Sequence, residues 1–137
     1  MVRYMRHADG PRRSAERYAH FREHNPRQFR IVEGHNDEEV GWIAYWVRTW
    51  NDEQVFEIGW AVHPKFQDMD LRGAAIQAID SARSEGVAQL LLACPSADNE
   101  RVNAVCKGTG FTLIETLELP FAVGSIQMCN VWSLDLT

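Results

Sequence analysis

The sequence predicts an α+β domain with a mixed, mostly antiparallel sheet and helices on both faces, and three observations carry that reading. Residues 29–62 hold three runs rich in β-branched and aromatic residues, separated by polar turns, which is the pattern of two antiparallel hairpins in succession. Residues 71–85 then switch to helical spacing, with Leu71, Ala75, Ala78, Ile79 and Ala82 on one narrow stripe of mostly small residues that lets a helix sit close to a sheet. Gln89-Leu90-Leu91-Leu92-Ala93-Cys94 is a short, uninterrupted apolar run. Such a run suits a central strand buried on both faces, parallel to its predecessor across a right-handed crossover.

Taken in order, Val2-Arg3-Tyr4-Met5 is all that could supply a strand before the first helix. Residues 11–24 have helical character, with Pro11 suited to a first turn and Asn25-Pro26 as the stop. Residues 29–33 alternate as a strand, 34–39 form a polar turn, and 40–50 give a second strand rich in Trp, Ile, Tyr and Val. A turn at 51–54 leads back into a strand at 55–62. The helix at 71–85 is closed by Gly86. After the strand at 89–94, Asp98 or Asn99 caps a short helix reaching about Lys107, which Gly108 and Gly110 break. Residues 112–119 and 126–136 form the closing strands. There are no repeats or low-complexity tracts.

At 137 residues the chain fits one domain. No apolar run approaches the ~20 residues of a membrane span. The N-terminal residues Arg3, Arg6 and His7 leave no room for an apolar signal core, so a soluble cytoplasmic protein without a membrane partner is expected. Cys94, Cys106 and Cys129 are odd in number and widely spaced, which argues against a disulfide framework and against a metal site. Each is read as a small buried apolar residue. A net charge of −5 weakens the case for nucleic acid as a partner. Eight arginines nevertheless crowd the first thirty residues. They either form a face for an acidic partner or phosphate, or pair on a solvated helix with Asp9, Glu16 and Glu23.

The most informative stretch is Glu-Ile-Gly-Trp-Ala-Val-His-Pro at 57–64, a buried strand that feeds a loop and then a helix. Together with Asp98-Asn99, Asn103-Ala104-Val105-Cys106, Gly110-Phe111 and Asn130-Val131-Trp132-Ser133-Leu134-Asp135-Leu136, its order and spacing resemble the GNAT superfamily of acyl-CoA-dependent N-acetyltransferases. The resemblance runs from about Phe29 to the C-terminus, and is closest to the branch of ribosomal-protein and small-amine acetyltransferases. It implies a GNAT-like fold with splayed central parallel strands, 55–62 and 89–94, and acetyl-CoA as co-substrate. The acceptor it implies is a primary amine on a small molecule or a protein N-terminus.

By the same resemblance, the backbone N–H groups of Ala61 and Val62 hold the pantetheine arm and polarise the thioester. The phosphate loop falls on Gln67, Asp68, Met69, Asp70, Leu71, Arg72 and Gly73, and Asn99 contacts the pantetheine amide. Glu57, with a pKa raised by burial beside Trp42, Trp46 and Trp60, takes the amine proton through water. Cys106 stands where many relatives place a Tyr that protonates the departing thiolate. Each residue has a structural alternative: Glu57 paired with Arg48, Asn99 as a helix cap only, Asp68 or Asp70 serving only to start the helix, His63 as a spare base or a purely structural residue.

One departure counts against the agreements. The family loop reads Gln/Arg-x-x-Gly-x-Gly/Ala, and this chain has Asp70 and Arg72 at the glycine and glycine-or-alanine positions. Like charges ~5 Å apart cost about 1 kcal/mol in water and more at lower dielectric, so acidic residues oppose a diphosphate there. A second reading is therefore a GNAT-fold protein that has lost cofactor binding and serves as an interaction module. The short first strand and five tryptophans also point to a homodimer through the strands at 40–50 and 126–136, with Trp50 and Trp132 as anchors, unless those tryptophans fill the core.

Overall fold

The computed structural model describes residues 2–4, 27–33, 38–66, 70–120 and 126–137. Its strands are β1 (Val2–Tyr4), β2 (Gln28–Glu33), β3 (Glu38–Trp50), β4 (Glu53–Val62), β5 (Leu90–Ala93), β6 (Thr112–Pro120) and β7 (Ile126–Asp135). Its helices are α1 (Arg72–Glu85) and α2 (Glu100–Gly108). The seven strands form one sheet in the order β1-β2-β3-β4-β5-β7-β6. Every neighbouring pair is antiparallel except β4 and β5, as the crossover through α1 predicts. The segments 11–24 and 67–69 lie outside the described residues.

Period-two alternation sorts the sheet into two faces. One carries Ile31, Ile43, Tyr45, Phe56, Ile58, Leu91, Ala93 and Trp132, and both described helices pack on it. The stripe read from the sequence is the buried side of α1, since Leu71, Ala75, Ala78, Ile79 and Ala82 are all at most 4 % exposed. The other face carries Trp42, Ala44, Trp46 and Ala61, and beside them Val55, Leu92 and Val131.

Two differences from the sequence reading follow from local geometry. The hairpin turn after β3 is tighter than 51–54: Asn51 and Asp52 alone turn the chain, with φ of 49° and 66°, and Glu53 already belongs to β4. Two central residues at positive φ give the turn whose twist matches flanking strands. Trp132 is no surface anchor; it is 8 % exposed and sits in the core, so any interface must use other residues.

The C-terminal turn of α1 is tied to the sheet by a network that no sequence pattern announces. The Tyr45 hydroxyl meets Ser81 Oγ at 2.8 Å and donates to Glu85, whose carboxylate also accepts from Arg27 Nε at 2.9 and 3.1 Å. Burial first, and then the Glu85 carboxylate, push the Tyr45 hydroxyl up to about 12. Among the described residues no helix is long and apolar enough to cross a membrane.

Candidate active site

The site is set by where β4 and β5 part. Their pairing runs Phe56–Leu91, Glu57–Leu92, Ile58–Ala93 and stops, while β4 continues to Val62 alongside β3. Beyond Ala93 the chain follows β7 instead. Pro95 has no N–H to offer a neighbouring strand. Its carbonyl accepts from Asn130 N at 2.9 Å, Ser96 bridges Cys129, and Ala97 N donates to the Met128 carbonyl at 2.9 Å. The result is a V that opens between residues 59–62 of β4 and the exit of β5.

Asn103, on α2, holds that exit in place. Its amide nitrogen donates to the carbonyls of Ser96 (3.0 Å) and Asn99 (2.7 Å), and its oxygen accepts from Asn130 Nδ2 (2.9 Å) and Trp132 Nε1 (2.8 Å). The family resemblance includes Asn103 but assigns it no role. The signal for one is a polar residue on the inner side of a short helix, where a half-buried amide needs partners.

His63 N donates to the Val40 carbonyl at 2.8 Å, and a Cβ on Gly41 would collide with the Ala61 carbonyl oxygen. Backbone polar groups alternate sides along a strand. The Ala61 amide is therefore turned to β3, and those of Trp60 and Val62 point to the β5 side. Of the two amides expected at the pantetheine arm, Val62's has that direction and Ala61's has the opposite one.

Glu57 lies on the face of Trp42 and Trp46, one strand position from the last β4–β5 pair. Trp60, expected beside it, is on the opposite face with the helices, as an odd spacing along a strand requires. The Trp46 ring instead covers Gly59, where an added Cβ would stand 3.0 Å from the ring edge. Arg48 Nη1 donates to Glu57 Oε1 and lies 3.8 Å from Cys94 Sγ, and its guanidinium stacks 5.1 Å from the Trp50 ring centroid. Burial alone would lower the Arg48 pKa, but the Glu57 charge and hydrogen bond outweigh it and leave it raised. A guanidinium partner favours an ionised carboxylate, opposite to the burial effect expected from the sequence.

Asp70 lies just ahead of α1, one residue before its cap Leu71. Its Oδ1 accepts from the Arg72 backbone N–H at 3.0 Å and from Arg72 Nε at 3.1 Å, and its Oδ2 from Arg72 Nη2 at 3.0 Å. These bonds, the side-chain ones first, hold the Asp70 carboxyl at about 2. Leu71 is the cap residue and is buried, and Gly73 is exposed with open space where a Cβ would stand. Gln67, Asp68 and Met69 are outside the described residues. Asn99 caps α2, its oxygen accepting from Val102 N at 3.2 Å. Cys106 is fully buried, and burial followed by Cys94 pushes its thiol up to about 12.

Residues 1–112 match the family described as the acetyltransferase (GNAT) domain. The chain belongs to the GNAT acetyltransferase family. The GNAT fold is also that of solved structures at low identity. Ribosomal-protein-S5-alanine acetyltransferase from Vibrio fischeri superposes with a TM-score of 0.69 at 17 % identity, over 89 % of this chain and 68 % of that one. The Salmonella typhimurium protein yncA, with its cofactor acetyl-CoA, gives 0.68 at 20 %, over 90 % and 72 %. A spermidine N-acetyltransferase chimera from Vibrio cholerae and hSSAT gives 0.70 at 15 %, over 99 % and 96 %. No curated protein matches the chain by sequence.

GNAT enzymes are acyl-CoA-dependent acetyltransferases, and acetyl-CoA fits this site by halves. The V between β4 and β5 gives an extended arm a backbone edge to lie along. The start of α1, where a GNAT protein places the diphosphate, already holds the Asp70 carboxylate on the first helical N–H.

Proposed function

We propose that the chain transfers an acetyl group from acetyl-CoA to a primary amine, on a small molecule or at a protein N-terminus. The observation that carries the reading is the V itself, with Glu57 at its closed end, one residue before the ladder stops. Attack needs a neutral amine, and an anionic carboxylate at that point can take the proton, directly or through water. Asn99 and the Val62 amide would orient the donor. Cys106 is a poor proton donor, because a thiol at about 12 gives its proton uphill to an ordinary thiolate near 8.5. Solvent is left to return that proton.

The Asp70–Arg72 pair favours a second reading, a GNAT-fold module whose cofactor affinity has been lost. Isothermal calorimetry with acetyl-CoA separates the two: saturable heat supports transfer, and none at millimolar donor supports the module. In an active protein, Glu57→Gln should cut turnover by about tenfold or more while leaving acetyl-CoA affinity within about twofold. His63→Ala serves as the control, and an unimpaired Glu57→Gln variant removes Glu57 from the chemistry. The homodimer and a soluble, cytoplasmic setting belong to the same proposal, the dimer supported by exposed apolar residues such as Ile126 (70 %).

A further inference from the structure

The Arg48 side chain links β3, β4 and the exit of β5. It leaves β3 on the face opposite the helices, reaches Glu57 on β4, and ends against the Cys94 thiol where β5 turns away. Its side chain is 28 % exposed and that of Glu57 16 %, so the pair stands partly shielded at the base of the V, not loose in solvent. The Trp50 ring under the guanidinium limits its swing. A carboxylate that is to meet an incoming amine must be held in one direction, and a planar guanidinium is suited to doing so.

We propose that Arg48 is a positioning residue for acyl transfer: it keeps the Glu57 carboxylate ionised and aimed at the mouth of the β4–β5 splay. The inference rests on the reading of Glu57 as proton acceptor. In the step it serves, Glu57 takes one proton from the substrate ammonium and leaves the nitrogen lone pair free. That nitrogen then bonds to the acetyl carbonyl carbon as the carbon–sulfur bond breaks, and the sulfur leaves with the electron pair. The second nitrogen proton is lost to solvent, which protonates the thiolate, so that the amide and the free thiol result. Arg48 keeps its own protons throughout. Among the described residues, the titratable groups that face Glu57 are Arg48 from β3, Cys94 after β5 and Cys129 from β7. Of these, Arg48 alone is charged at neutral pH, since burial raises both thiols.

The test has two readouts. Carbon-detected NMR on the unliganded protein follows the Glu57 carboxyl through its titration, assigned by comparison with Glu57→Gln. Arg48→Met should move that titration up by about one to three pH units, and Arg48→Lys by less than about one. With acetyl-CoA as donor and spermidine or an alanine-initiated peptide as probe amine, the acid limb of the turnover profile should move with it. The KM for acetyl-CoA should stay within about twofold. A Glu57 titration that does not respond to Arg48→Met overturns the proposal. If the Met variant does not fold, Arg48→Gln takes its place, and an unmoved titration there overturns the proposal equally. A shifted titration with an unmoved acid limb reduces the pair to a structural one and also overturns it. Undiminished turnover in Glu57→Gln sinks the reading of Glu57 itself, and is distinguishable because the Arg48-dependent titration shift would remain.

Discussion

Asp70 and Arg72 close on each other around the cap residue of α1, carboxylate to guanidinium and carboxylate to backbone N–H, so this helix start carries its own anion. A diphosphate arriving there must displace Asp70 or accept its charge as a neighbour.

Replacing Asp70 with Gly and Arg72 with Ala should therefore tighten acetyl-CoA binding by about tenfold or more, read by calorimetric titration. An unchanged dissociation constant would show that the loop is not the obstacle. The same pair predicts a pH effect. Because the folded pKa of Asp70 is lowered to about 2, its stabilisation is present above the unfolded value of about 3.9 and is lost as pH falls through about 2. Asp70→Asn should flatten the dependence of the urea midpoint between about pH 4 and 2; an identical acid limb would sink this.

Asn103→Ala should destabilise the fold by about 2 kcal/mol, because it strands the Trp132 indole N–H and the Asn130 amide. Thr116→Ala, which removes an exposed hydrogen bond to Asn130 on β7, should cost less than about 0.5 kcal/mol. Urea unfolding of both variants checks the contrast, and equal losses would contradict it.

The Cys94 and Cys106 thiols, both pushed up to about 12 mainly by burial, should resist alkylation in the folded protein at pH 8 and react once it is unfolded in urea. Mass spectrometry after an iodoacetamide pulse gives the answer. Native labelling of Cys106 at the unfolded rate would mean that α2 opens readily.

Leu113, Ile114, Ile126 and Met128 are each at least 45 % exposed on the closing strands, and apolar surface of this kind suits a twofold contact. Light scattering at micromolar concentration should give twice the 15.7 kDa chain mass. A single-chain mass would remove the dimer.

Much of the fold is legible in the sequence because it is local. The α1 stripe, Gly86 at its end with φ 67°, the hairpins and the Asn99 cap all depend on residues within a turn or a strand of one another. Even the misplacement of Trp60 beside Glu57 is open to correction by counting, since residues 57 and 60 of one strand cannot share a face. The tertiary structure alone decided where β5 leaves β4, which of the Ala61 and Val62 amides faces the V, and that Asn103 reaches residues 27 and 29 positions away. It also supplied the ionic partner of Glu57, the guanidinium of Arg48. Periodicity fixes which side of an element is buried. Register, the end of a ladder and the choice of ionic partner emerge only when strands distant in sequence compete for the same backbone and charged groups.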